Sequence, residues 1–277
     1  RSAEGDGMWD SSLVRMFART SGRLNGMTVI PSETEGHRDT LLVADLLNRA
    51  VLAVTGTRTV AVWTNRMMVG GPTAARRPRR YHGPSCVLPD RYGNIYFADA
   101  GLLRDCKPGS LKGSVYKAEP LEPDAPRGSQ PVVTPIIDSG IAYPSALAWI
   151  GKEDMLICET FLNRVLRAAL DRKTNEWRVQ LFAKFTERFG PTAIAVRRNP
   201  KRTLLRQQCD GDRISIFIGH SAMRGSGEEA KVLRLTPKGV VAQRWTVPKK
   251  VYITSMAFTS PRSLLLTSRN DILQLTV

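Results

Sequence analysis

The sequence predicts an all-β fold: a β-propeller of six blades, with five as the alternative, closed by pairing of the N- and C-terminal strands. Three observations carry this. Residues 143–185 form a unit of four short strands joined by tight turns, and such units recur about every 45 residues, the range of propeller blades. The apolar residues alternate with polar ones or cluster in short runs, and nowhere keep the spacing of a long amphipathic helix. The last unit lacks a fourth strand, whereas the start of the chain carries only a fragment of a unit. A terminal strand that completes the blade begun by the other end would close the ring and remove its exposed edges.

The elements follow in order. Residues 1–26 hold the fragment, centred on SLVRMFART (12–20). Residues 27–65 give MTVIPS, TLLVAD, RAVLAVTG and TVAVWTN. Residues 84–138 give PSCVLPD, NIYFAD, GSVYKAEP and PVVTPIID. The unit at 143–185 follows, and its strands at 163–170 and 178–185 alternate apolar and polar residues. Residues 191–247 give PTAIAV, ISIFIGH, KVLRLTP and VVAQRWTV, and residues 251–277 give YITSMAF, SLLLTS and DILQLT. Turn chemistry separates the strands, as in DRYGN (90–94) and PKG (237–239). All of 1–277 reads as one propeller domain. Propeller topology puts the loops 66–83, 103–112 and 220–229 on the face of the blade-to-blade connections, and 119–130 and 197–211 on the opposite face.

Composition narrows the partners. The chain of 277 residues carries 41 basic and 25 acidic side chains, a net charge of +16 that points to polyanions: RNA, DNA, anionic lipid or acidic proteins. Such a charge, with a first residue other than methionine, favours a mitochondrial over a cytoplasmic location as an expectation. No apolar run approaches the roughly 20 residues of a membrane helix, so no transmembrane segment is expected. The cysteines (Cys86, Cys106, Cys158, Cys209) are widely spaced, without a CxxC pair or a nearby histidine at zinc-ligand spacing. His37, His82 and His220 lie in turn-like stretches. His82 near Ser85 and Cys86 lacks an identifiable orienting acid, and the glycine-rich stretches lack a phosphate-loop lysine. Asp45 and Asp99 end second strands and read as turn caps.

GSVYKAEP (113–120), YPSALAW (143–149) and LICETFLNRVLRAAL (156–170) resemble, in order and spacing, the regucalcin/gluconolactonase family of six-bladed propellers, and are similar to strictosidine-synthase-like proteins and NHL repeats. The resemblance implies a divalent cation, usually calcium, at the channel mouth, held by carboxylate and amide oxygens from the starts of inner strands, with lactone hydrolysis as the chemistry. The matching positions depart from that pattern. Ser145 stands where the family has asparagine, and Thr192 where it has the aspartate that is ligand and base. Ser85 and Cys86 replace an Asn-Asp pair. Glu4, in AEGDGMWD (3–10), is the one carboxylate retained. Neutral hydroxyls are poor calcium ligands, and Thr192 has no proton to exchange near neutral pH. The ring Glu4, Ser85, Ser145, Thr192 is therefore expected to be degenerate, with no catalytic residue and no cofactor.

The basic residues supply the other candidates. Arg76, Arg77, Arg79 and Arg80 form one cluster, and Arg197, Arg198, Lys201 and Arg202 a second on the opposite face. Arginine dominates both, and its planar fork suits phosphate. No RNA-recognition motif and no stacked aromatic platform is expected, so any RNA contact would be to the phosphate backbone. The sequence therefore reads as a non-catalytic scaffold, a basic assembly subunit with protein partners in a large complex such as an organellar ribonucleoprotein. The alternatives are a metal-dependent lactonase or hydrolase with a site rearranged around Glu4, and a propeller that binds a small ligand under the 66–83 loop.

Overall fold

The computed structural model of the chain describes residues 17–31, 39–55, 59–69, 77–102, 110–121, 125–126, 128–186, 189–198, 214–222, 229–247, 252–268 and 271–277. The first sheet is β1 (Leu24–Ile30), β2 (Thr40–Asp45), β3 (Ala50–Val54) and β4 (Val60–Thr64). A hairpin follows, β5 (Arg66–Val69) and β6 (Arg77–Arg80). The second sheet is β7 (Pro84–Pro89), β8 (Ile95–Asp99), β9 (Gly113–Ala118) and β10 (Val133–Ile141). The third is β11 (Pro144–Trp149), β12 (Asp154–Glu159), β13 (Arg164–Asp171) and β14 (Glu176–Lys184). The fourth is β15 (Gly190–Arg198), β16 (Ile214–Ser221), β17 (Lys231–Leu235) and β18 (Val241–Thr246). The fifth has three strands, β19 (Ser255–Ser260), β20 (Ser263–Thr267) and β21 (Ile272–Thr276). Each sheet is an antiparallel meander, and β1, β7, β11, β15 and β19 lie side by side in that order as the inner strands.

These are propeller blades, and the recurrent units of the sequence coincide with them. Five are described. Of residues 1–26, where the thin first blade and the closing strand are expected, 1–16 lie outside the described residues, 17–23 carry no strand, and 24–26 open β1.

Alternation along each second strand explains why blades stack. On β12, Met155 and Ile157 point to the second blade and pack with Tyr96, Ala98 and Val115. Leu156 and Cys158 point the other way, to Ile194, Ile216 and Ile218 of the fourth. A strand sandwiched on both faces is therefore apolar throughout, which is the run MLIC. Leu42, Ala44 and Val51 likewise meet Val87, Phe97 and Tyr116, and Phe217 and Val232 meet Met256, Leu264 and Leu266. Each apolar cluster thus lies between two blades rather than within one. Each large side chain so buried contributes about 1.5–3 kcal/mol.

The turns are built as their residues dictate. Asp90 Oδ1 accepts the amides of Tyr92 and Asn94 at 2.8 and 2.9 Å, while Gly93 takes φ +83°. Within the stretch 66–83, expected as a loop, residues 66–69 and 77–80 instead pair as the strands β5 and β6. Met67 and Tyr81 of this stretch enter the core between the first two blades. Tyr81 donates to the Arg66 carbonyl at 2.9 Å, and its hydroxyl lies 2.9 Å from Thr64 Oγ1. One close approach fixes the seam between the third and fourth blades. A Cβ on Gly190 would lie 2.0 Å from the Thr160 carbonyl oxygen, in the 3-10 turn Thr160–Leu162. Gly190→Ala is expected to lower stability by about 1–3 kcal/mol or more, read as a lower urea midpoint at unchanged slope.

Candidate functional site

The inner strands begin on one face of the propeller, around the channel mouth. The second residues of β7, β11 and the third of β15 are Ser85, Ser145 and Thr192, and all are buried. Each hydroxyl reaches the carbonyl near the opening of the next blade. Ser85 Oγ donates to Pro144 O at 2.6 Å, Ser145 Oγ to Pro191 O at 3.2 Å, and Thr192 Oγ1 to Ile253 O at 2.7 Å. Thr160 Oγ1 reinforces the middle link, 2.8 Å from Pro191 O. Ser221 Oγ reinforces the last and accepts the Ile253 amide at 3.0 Å. Asn25, the second residue of β1, completes the series: its side-chain amide donates to Ser85 O at 2.7 Å. Asn25 escapes a reading of the sequence in which the first unit begins at Met27. The spacing of 60 residues that separates Asn25 from Ser85, and Ser85 from Ser145, is the signal that finds it.

Carboxylates form a second tier at the ends of the second strands. Asp45, Asp99 and Glu159 are fully buried, the last residues of β2, β8 and β12. Each holds the backbone just before its own blade begins. Asp45 Oδ1 accepts the Arg23 amide at 3.0 Å, as well as those of Leu47 and Asn48. Asp99 accepts His82 N at 2.8 Å and Gly83 N at 2.6 Å. Glu159 Oε1 accepts Ala142 N at 2.7 Å, and its Oε2 pairs with Arg164. Asp45 does cap its turn, as its position suggests, while Asp99 ties strand end to strand start. Glu159 is a member that no turn motif singles out. Burial pushes the Asp99 carboxyl above its usual range, against the pull of the two amides.

A calcium ion does not fit this donor set. The hydroxyls of Ser85, Ser145 and Thr192 are neutral and already bridge blades, and the three carboxylates face backbone amides. Glu4 lies outside the described residues. No group of three His, Cys, Asp or Glu side chains placed to hold a metal occurs among the described residues. Burial pushes the Cys86 thiol up to about 12, so it stays protonated.

A row of aromatic rings crosses the mouth face. Tyr143 and Phe161 have ring centroids 5.1 Å apart, Phe161 and Phe189 6.4 Å, Phe189 and Tyr252 5.9 Å. Phe189 holds its place with φ +87°, a conformation that bulky residues rarely adopt. Their planes meet at 36°, 73° and 57°, tilted or edge-on rather than stacked. The four residues are scattered over the sequence and sit just before inner strands or after a second strand, so only the fold aligns them.

The basic clusters lie on opposite faces. On the hairpin, Arg66 and Arg80 stand directly opposite each other, and Arg66, Arg77 and Arg80 are exposed. Arg79 turns inward, pairs with Asp138 and donates to the Tyr116 hydroxyl at 3.1 Å. Arg197 and Arg198 end β15 on the other face; Arg76, Lys201 and Arg202 lie outside the described residues. No helix among the described residues is long and apolar enough to cross a membrane.

No protein-family model and no curated protein matches the sequence. Among solved structures, the chain is similar to a gluconolactonase from Xanthomonas campestris, with 17% identity, a TM-score of 0.58, and coverage of 86% of this chain and 68% of that one. It is also similar to luciferin-regenerating enzyme, with 16% identity, a TM-score of 0.55, and coverage of 91% and 72%. The fold is a β-propeller like those of gluconolactonases and luciferin-regenerating enzyme.

Each tier can be probed by removing one of its polar groups. Thr192→Val removes the donor to Ile253 O and is expected to cost about 1–3 kcal/mol in urea denaturation. Asp99→Ala strands the buried Gly83 amide and the part-buried His82 amide and is expected to cost at least as much, with faster amide hydrogen exchange at His82 and Gly83.

Proposed function

We propose that this chain is a non-catalytic propeller scaffold, a basic assembly subunit with protein partners in a large complex. The observation that carries the reading is the hydroxyl bridge between blades. The positions that would present metal ligands in a gluconolactonase-type propeller are committed here to holding the ring together. The exposed arginines supply the contact. Arg66 and Arg80 face each other at a distance where like charges repel, with no carboxylate partner among the described residues. An outside polyanion relieves that repulsion, and the phosphate backbone of RNA matches the guanidinium fork. An organellar ribonucleoprotein is the setting this favours, with the mitochondrion as its compartment.

The test is binding of a labelled RNA of generic sequence at several salt concentrations. Wild type is expected to bind, with affinity falling steeply as salt rises. Replacing Arg66, Arg77 and Arg80 with Ala is expected to weaken binding about tenfold or more at low salt. It should also flatten the log–log salt slope by about 2, roughly 0.7 for each phosphate no longer neutralised. Unchanged affinity and slope would remove the hairpin from the interface. Micromolar calcium binding with lactone turnover would overturn the non-catalytic reading.

The aromatic row favours a second reading, a small-ligand propeller with a flat or sugar-like ligand stacked at the mouth. A thermal-shift screen of lactones and sugars distinguishes it: a stabilising compound whose effect disappears in Phe161→Ala supports it, and the absence of any such compound counts against it.

A further inference from the structure

On the face away from the mouth, a cavity of about 330 Å³ opens between the far ends of β15 and β19. It is lined by Arg197, Arg198, Phe258, Thr259, Ser260 and Pro261, with Val196 behind them, and no carboxylate borders it. Arg197 is fixed in place. Its guanidinium carbon lies 5.5 Å from the centre of the Phe217 ring and 5.4 Å from that of Phe258, and one terminal nitrogen donates to the Pro261 carbonyl. Its Nε is buried and has no hydrogen-bond partner. Burial, then repulsion from Arg234, pulls its pKa down, yet a guanidinium stays charged at neutral pH. Ser260 Oγ accepts the Arg262 amide at 3.3 Å, which leaves its own proton to donate. The pocket therefore offers two cations, a hydroxyl donor and an apolar wall, with the key side chain already immobilised. Preorganisation of this kind lowers the entropic cost of binding.

We propose that this pocket binds a phosphate monoester, with the phosphate between Arg197 and Arg198 and the esterified group against Phe258 and Pro261. A monoester carries about −1.5 to −2 charges at pH 7, which offsets both arginines; a carboxylate or a phosphodiester offsets only one. The volume is at the lower end of ligand pockets and suits a phosphate with a small attached body. The ester is a free nucleotide-like compound or the terminal phosphate of a polymer. The inference rests on the reading of Arg197 and Arg198 as polyanion contacts and narrows it to one site and one chemistry.

Calorimetry with AMP on the whole chain, at low salt, tests it. A dissociation constant below about 1 mM is expected, weakening at least about tenfold in Arg198→Ala and in Arg197→Lys, which keeps the charge but loses the fork. Arg178→Ala, the same charge change on the third blade, is expected to leave AMP binding unchanged. Affinity should fall between pH 7.5 and pH 5.5, because the second phosphate pKa is about 6. No AMP binding up to about 10 mM, or an equal loss in Arg178→Ala, overturns the site. Displacement of AMP by a short 5′-phosphorylated RNA but not by its 5′-hydroxyl counterpart assigns the polymer end; displacement by neither assigns the free ester. Displacement by both equally shows a diester site and overturns the monoester claim. RNA binding that depends on Arg66, Arg77 and Arg80 but not on Arg198 keeps the scaffold reading whatever becomes of the pocket.

Discussion

Between two propeller blades there is no backbone ladder. Each sheet ends at its inner strand, and the edge it leaves must find partners elsewhere or lose hydrogen bonds. Here the partner is a hydroxyl. Ser85, Ser145 and Thr192 each reach from the start of one inner strand to a carbonyl at the opening of the next blade, at 2.6, 3.2 and 2.7 Å. The apolar clusters between blades supply most of the cohesion, but they do not fix rotation or register. Directional hydrogen bonds at the axis do. The buried carboxylates Asp45, Asp99 and Glu159 act one step outward, holding the chain as it enters each blade.

The same economy of placement sharpens the charge of the surface. Three carboxylates are taken into the interior, where backbone amides and the Arg164 guanidinium answer them. The arginines of the hairpin and the end of β15 stay outside or at pocket walls. The exterior is thus more positive than the net charge of +16 alone conveys. Neither arginine cluster is a plain solvated patch. In each, one member is turned inward and fixed, Arg79 by Asp138 and Tyr116, Arg197 by two aromatic rings. Its neighbours are thereby aimed at solvent.

Much of this is legible in the sequence, and the parts that are not have physical reasons. The blades are, because alternation and turn residues such as Asp90 and Gly239 act locally. The hydroxyl residues Ser145 and Thr192 at the starts of inner strands are also visible, since they need only an aligned motif. What those hydroxyls do is not, because their acceptors lie 46 and 61 residues away. The hairpin is hidden by its composition: arginine and proline read as a charged loop, yet Met67 and Tyr81 anchor it in the core. Glu159 is hard to see because aspartate plays the same part in the preceding blades. The row of Tyr143, Phe161, Phe189 and Tyr252 depends on three blades meeting, which no local pattern encodes.

Because each apolar cluster is shared by two blades, no blade owns a core of its own. The energetics are those of a row of dominoes, in which a unit gains its stability from the unit beside it. The middle blades, flanked on both sides, are the keystone. Among the described blades, the first and the three-stranded fifth each border one neighbour. Loss of packing in one blade therefore loosens the blade beside it, and the pocket between β15 and β19 sits on one such seam. A ligand held there would act as a clasp on that seam.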